Sequence, residues 1–133
     1  MPATPLIHVL AGVLFDAQGR VLFAQRPAGK HLAGQWEFPG GKREPGETPA
    51  QTLARELSEE LDIAVLHAEP LIAVPWHYGV CNLLLDAWHV WQWDGTARSA
   101  EGQALQWSLP DRMDASTLTA ADRLVLAALL QAH

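Results

Sequence analysis

The stretch from Gly40 to Ile63, GGKREPGETPAQTLARELSEELDI, changes character at Thr48. Before it, glycine and proline interrupt any regular element. After it, leucines recur at helical spacing. Thr48 is placed to cap a helix, with Pro49 at the first helical position and Gln51 closing a capping box. The spacing predicts a helix from Pro49 to Leu61, stopped by Asp62, since Asp is among the few side chains besides glycine that tolerate the left-handed conformation. Leu53, Leu57 and Leu61, with Ala50 and Ala54, form the side expected to face a core. Glu56, Glu59 and Glu60 stand at i, i+3 and i+4 and share the adjoining face. Like charges so spaced destabilise an isolated helix by roughly a few tenths of a kcal/mol per pair. Only Arg55 lies among them as a cation, and no lysines alternate with them as on a solvated face. A divalent cation, Mg²⁺ or Mn²⁺, is therefore expected to be shared by these carboxylates, with waters and phosphate oxygens completing its shell. The implied substrate is a phosphate ester.

Working outward, Ile7–Phe15 and Val21–Arg26 are apolar runs separated by Asp16–Arg20, which predicts two strands joined by a hairpin turn. Pro27 to Gly46 is dense in glycine and proline and reads as a long structured loop, the kind that usually carries function. Beyond the helix, Ile63–Val74 and Val80–Trp91 read as strands, with Pro75–Gly79 between them and a turn at Trp93-Asp94-Gly95. Ala104–Ser108 reads as a short strand ended by Leu109-Pro110, and Ala120–Gln131 as a C-terminal helix. This order predicts an α/β fold, a mixed β-sheet packed between helices, and 133 residues fit one domain over 1–133.

Apolar residues make up 49% of the chain and charged residues 18%, enough for a buried core and too few charges for disorder. A net charge of −6 opposes binding of a nucleic-acid polymer. The single cysteine, Cys81, excludes an internal disulfide and a cysteine-based zinc site, and is expected to be a small core residue. No apolar run approaches the roughly 18 residues that span a bilayer, and Met1–Pro5 lacks a basic signal region. The expectation is a cytoplasmic protein with no membrane partner, either monomer or homodimer.

Gly41, five residues, Glu47, seven residues, then Arg55-Glu56-Leu57-Ser58-Glu59-Glu60-Leu61-Asp62-Ile63 resembles the Nudix box, G-x5-E-x7-R-E-U-x-E-E-x-G-U. The one departure is Asp62, where the family usually has glycine. That position caps the helix, so slight destabilisation is expected there rather than loss of activity. Gln25-Arg26-Pro27, Trp36 to Lys42, Glu101-Gly102-Gln103 and Ala120-Ala121-Asp122 extend the likeness to the MutT-type nucleoside triphosphate pyrophosphohydrolases and their CTP-preferring relatives.

The resemblance implies a Nudix α/β/α sandwich. It also implies that Glu56, Glu59 and Glu60 bind metal together with the carbonyl of Gly40 and with Glu101, and that Glu47 and Arg55 form a structural ion pair beside Gly41. The implied reaction is water attack on the phosphate chain of a nucleoside triphosphate, releasing a monophosphate and pyrophosphate. Among the catalytic carboxylates Glu56, Glu59 and Glu101, Glu56 is the first candidate for general base and Glu101 the second. The leading expectation is removal of oxidised or noncanonical dNTPs such as 8-oxo-dGTP. A CTP-type or general dNTP pyrophosphohydrolase is an alternative, and so is a catalytically silent nucleotide-sensing domain.

Substrate-binding candidates carry alternatives. Arg26 is expected to bind a base or phosphate edge or else to form an ion pair, and Phe38 to stack on a base or else to fill the core. Trp76, read as lying in a loop, is a candidate pocket lid. Trp88, Trp91 and Trp93 are explained by one face of a strand. His31, His77 and His89 lack zinc-ligand spacing. Asp122 stands where MutT-type enzymes commonly have an Asn that reads the base. An ionised Asp offers only acceptors, which suits guanine N1–H and N2–H₂ as well as the cytosine amino group. Its other reading is N-cap of the last helix.

Overall fold

The local signals around Thr48 are realised. Thr48 Oγ1 accepts from the Gln51 N–H at 3.2 Å, and Gln51 Oε1 accepts from the Thr48 N–H at 2.9 Å. Helix α1 spans Pro49–Leu61, and Asp62 ends it at φ 57°. Leu53, Leu57 and Leu61 are fully buried. Ala54 is half-buried and Ala50 exposed, so the apolar stripe is narrower than the spacing alone implies.

The computed structural model describes residues 6–30, 32–78 and 81–132. The readings of His31 and of the Cys81 side chain lie outside what it describes. The remaining elements are β1 (Leu6–Leu14), β2 (Val21–Gln25), β3 (Trp36–Glu37), β4 (Gly40–Lys42), β5 (Ala64–Tyr78), β6 (Cys81–Asp94), β7 (Leu105–Ser108) and α2 (Ala120–Ala132), with two short 3-10 turns before α2. They form a mixed four-stranded sheet, β4-β1-β6-β5, and an antiparallel three-stranded sheet, β3-β2-β7.

The expected turn at Asp16–Arg20 forms, but the two strands it joins part beyond it and do not pair as a hairpin. β1 pairs antiparallel with β4 on one edge and parallel with β6 on the other, while β2 joins the second sheet. A bridge between Phe15 and Val21 and the Asp16 N–H to Arg20 O bond at 2.9 Å close the turn between β1 and β2. The physical reason lies in the unbroken apolar run. A strand buried on both faces sits inside its sheet, and both its edges are then taken. Leu10 and Leu14 pack under α1 with Leu22, Leu53, Leu57 and Val90. Ala11 and Val13 pack on the opposite side with Phe23, Val125, Leu126 and Leu129 of α2. The sheets therefore lie between two helices, as expected.

The long loop contains two short strands, β3 and β4, that glycine and proline density concealed. Pro75, Trp76 and His77 are not in a connection either; they pair with Leu84, Leu83 and Asn82 inside β5. β5 is the edge of its sheet, where prolines are tolerated because the missing N–H can face away from the ladder. Register shifts near His67 leave Trp91 without a ladder partner. Trp88 and Trp93 pack on the α1-side core, whereas Trp91 is 53% exposed and stacks on His67 at 4.6 Å. One face of a strand therefore does not explain all three tryptophans, because the bulge reverses side-chain parity.

Candidate active site

Two consecutive glycines let β4 approach both β1 and α1. A Cβ on Gly40 would overlap the Leu10 carbonyl, and one on Gly41 would overlap the Glu56 carboxylate. With that approach, the Gly40 N–H donates to Glu60 Oε2 at 3.1 Å. β4, the last two turns of α1 and the loop before β7 then border a cleft of about 740 Å³.

Glu56, Glu59, Glu60 and Glu101 all line this cleft, as do Gly40 and Gly41. Arg55 meets much of the stripe's negative charge. Its Nε and Nη2 donate to the two oxygens of Glu47 at 2.7 and 3.0 Å, and its Nη1 donates to Glu56 Oε1 at 2.8 Å and Glu59 Oε2 at 3.4 Å. The Arg55 hydrogen bonds hold the Glu47 carboxyl down to about 2, helped by the Glu44 N–H and the Thr52 hydroxyl. The expected structural pair is thus formed, and it ties the loop to the helix.

Glu60 is the deepest of the carboxylates, 8% exposed. Burial pushes its pKa up to about 8, and the charges of Glu37 and Glu101 add to the shift, against the Gly40 N–H and the Gln103 amide. A carboxyl in that position keeps its proton at neutral pH unless a cation compensates it. The donors are all oxygens and mostly carboxylates, which fits a hard divalent cation. Among the described residues no three such side chains already stand together as a metal cluster. Arg55 donates to Glu56 and Glu59, and the Gly40 N–H to Glu60.

The loop carrying Glu101 is anchored to the end of α1. The Arg98 and Ala100 N–H groups donate to the carbonyls of Leu61 and Glu60, each at 3.0 Å. Gln103 Nε2 lies 3.3 Å from Glu60 Oε1, and Gln103 Oε1 accepts from the Ser99 hydroxyl at 3.0 Å. Glu101 itself is exposed and makes no hydrogen bond among the described residues.

The other part of the cleft is lined by Arg26, Glu37, Phe38 and Asp122. Arg26 Nη1 donates to Glu37 Oε2 at 3.0 Å, so the ion-pair reading of Arg26 holds while the side chain still borders the cleft. Phe38 is a core residue, 3% exposed and 5.0 Å from the Phe23 ring, and also reaches the cleft. Asp122 lies in the first turn of α2 rather than at its cap. Its Oδ1 accepts from the Phe38 N–H at 3.0 Å and its Oδ2 from the Thr119 hydroxyl. Burial raises its pKa to about 7, with the Glu37 charge adding to the effect. Near neutral pH the ionised and the neutral forms of Asp122 are thus both accessible.

Trp76 is not brought to the cleft; it packs against the α2-side core. His77 pairs within the β5–β6 ladder, and His89 meets the Phe15 ring edge-on. Sequence reading assigned no role to Glu37, Gln103 or Thr119. Glu37 and Gln103 lie inside the quoted motifs, but their partners, Arg26 across the loop and Glu60 on α1, lie outside their own motif stretches.

A family model described as NUDIX domain matches residues 10–128. The chain belongs to the Nudix family. It is 39% identical to the CTP pyrophosphohydrolase of Escherichia coli K12, over 94% of this chain and 92% of that protein. It is 31% identical to the 8-oxo-dGTP diphosphatase of the same organism, over 92% and 95%. The crystal structure of a MutT NUDIX hydrolase from Burkholderia pseudomallei matches at TM-score 0.85 and 26% identity, covering 94% of this chain and 98% of that one. This protein is thus a Nudix hydrolase, a class that works with a divalent metal. No described helix is long and apolar enough to cross a membrane.

Proposed function

We propose that this Nudix hydrolase cleaves nucleoside triphosphates to monophosphate and pyrophosphate, acting on oxidised or noncanonical dNTPs such as 8-oxo-dGTP. The observation that carries the reading is the shared cleft. Carboxylates for a cation and phosphate chain border it together with an aromatic and a buried carboxyl suited to a heterocycle.

When bound, a divalent cation, Mg²⁺ by preference, neutralises charge on the phosphates and lowers the pKa of a water. Glu56, Glu59, Glu60, Glu101 and the Gly40 carbonyl are the groups to hold it. Glu56 is the proposed general base. Arg55 occupies Oε1, and Oε2 makes no hydrogen bond among the described residues, so that oxygen is open to a proton. Glu101, exposed on its anchored loop, is the alternative base. Arg26, Lys30 and Lys42 border the same cleft and offset the charge of a triphosphate.

A preference for CTP is the second reading, and the environment of Asp122 favours keeping it. The ionised form matches the two donors of guanine, whereas the neutral acid donates and accepts, which matches the N3 and amino group of cytosine. With its pKa near neutrality both forms are accessible. The test is pyrophosphate release with Mg²⁺ from 8-oxo-dGTP, dGTP, dCTP, CTP and dATP. Highest kcat/KM for 8-oxo-dGTP supports the first reading, highest for CTP the second, and no release from any of them overturns both.

A further inference from the structure

We propose that Leu32 is a specificity-determining residue of this hydrolase, an apolar side chain that bears on the nucleobase in the cleft. The proposal rests on the nucleotide reading above. Its starting point is the backbone. Among the described residues two non-glycine positions have positive φ, Asp62 at 57° and Leu32 at 59°. Asp62 terminates a helix, and a short polar side chain suits that conformation. Leucine has no such suitability, and its Cβ crowds the backbone there.

The same loop shows what it uses when only the turn is needed. Gly29 and Gly34 also have positive φ, with open space where a Cβ would sit. At position 32 the loop instead carries a large apolar side chain in an unfavourable conformation. The turn that imposes it is well tied: the Ala33 N–H donates to Lys30 O at 3.1 Å, the Gly34 N–H to Arg26 O at 3.0 Å, and the Gln35 N–H to Leu32 O at 3.2 Å. Gln25 Nε2 adds a further bond to Gly34 O at 3.0 Å.

Core packing does not account for the leucine. Leu32 belongs to neither hydrophobic cluster and is not among the side chains packed against them. It is half-buried and lines the cleft, where β1 and β6 contribute Val9 and Leu83 as further apolar lining. Backbone strain that persists without a core contact to justify it is typical of ligand contacts. Of the two parts of a nucleotide, only the nucleoside offers an apolar face, because the phosphate chain is charged throughout. Within the nucleoside the flat face of the heterocycle is the larger apolar surface, so the base is the group assigned to Leu32.

The test separates backbone from side chain with Leu32→Gly and Leu32→Ala. Binding of dGMP, dCMP and pyrophosphate is measured by calorimetry with Mg²⁺, alongside thermal melts. Both variants are expected to bind the preferred monophosphate roughly tenfold more weakly, with pyrophosphate affinity unchanged. Leu32→Gly should melt no lower than wild type, because glycine relieves the backbone, so stability and binding move apart. Monophosphate affinity within twofold of wild type in both variants overturns the proposal, as does an equal loss for pyrophosphate. Should Leu32→Gly fail to fold, Leu32→Ala and Leu32→Asn read the same two affinities. Wild-type protein that hydrolyses no nucleotide and binds neither monophosphate sinks the functional reading, whereas wild-type binding that these variants leave intact sinks only the role of Leu32.

Discussion

Asp122 is a buried carboxyl that also borders the cleft. Its carboxyl, normally near 3.8, is raised to about 7 by burial. Between those values the folded protein keeps a proton that the unfolded chain has released. The resulting stability is complete below about pH 3.8 and declines as pH rises through about 7, beyond which the group is ionised in both states. One proton limits the slope to about 1.4 kcal/mol per pH unit. Asp122→Asn does not titrate, so the difference in unfolding free energy between wild type and variant should fall across that window and level off above it. A difference that stays flat with pH would refute the buried carboxyl. A smaller effect is expected at Asp62, where the sequence suggests that glycine would be the better cap. The Asp62 carboxylate accepts from Arg98 Nε at 2.8 Å, in a pair with both side chains more than half exposed. Exposed pairs contribute less than about 1 kcal/mol, comparable with what glycine gains at a left-handed position. Asp62→Gly should therefore change stability by less than about 1 kcal/mol, and a denaturant melt shifted further would show that one of these terms has been misjudged.

At the scale of elements, α1 and its preceding loop depend on the Glu47–Arg55 pair. Arg55 keeps the Glu47 carboxyl ionised down to about 2, against 4.5 for the free group. Its contribution to stability is complete above about pH 4.5 and is lost as pH falls toward 2. Glu47→Gln removes that dependence, so its helical signal by circular dichroism should decline more gradually in acid than that of wild type. Equal acid profiles would mean the pair does not hold the loop. α1 was legible in sequence because everything that defines it, from Thr48 and Gln51 to Asp62, lies within a few residues of what it caps. The strands were legible only as apolar runs. Which edges β1 would pair depends on partners about thirty or more residues away, and the continuation of β5 through Pro70 and Pro75 and the reversal at Trp91 depend on its register with β6. The same distinction divides the site. The carboxylate stripe could be read from i, i+3, i+4 spacing, while Glu37 and Gln103 acquire roles only through contacts to Arg26 and Glu60 across the fold.

For the whole molecule, a cation held at the carboxylates should stabilise the fold as well as support turnover. A ligand at about one hundred times its Kd adds about 2.7 kcal/mol. Mg²⁺ or Mn²⁺ should raise Tm, exhaustive chelation should abolish pyrophosphate release, and Glu60→Gln should remove most of the metal-induced rise. Full activity after chelation would overturn the metal requirement. The pairing of β1 with β6 bears on how such a chain is made. His8 on β1 bonds Asp86 on β6 across 78 residues of sequence. At ~5–20 residues per second a nascent chain waits on the order of ten seconds between emergence of these strands. During that interval the apolar run of β1 has no parallel partner, and β4, with the glycines that meet Glu60 and Glu56, is hung on an unfinished strand. The Nudix box is thus complete as sequence well before it is complete as a site, and a ribosome stalled just after α1 would expose an adhesive strand rather than a nucleotide-binding intermediate.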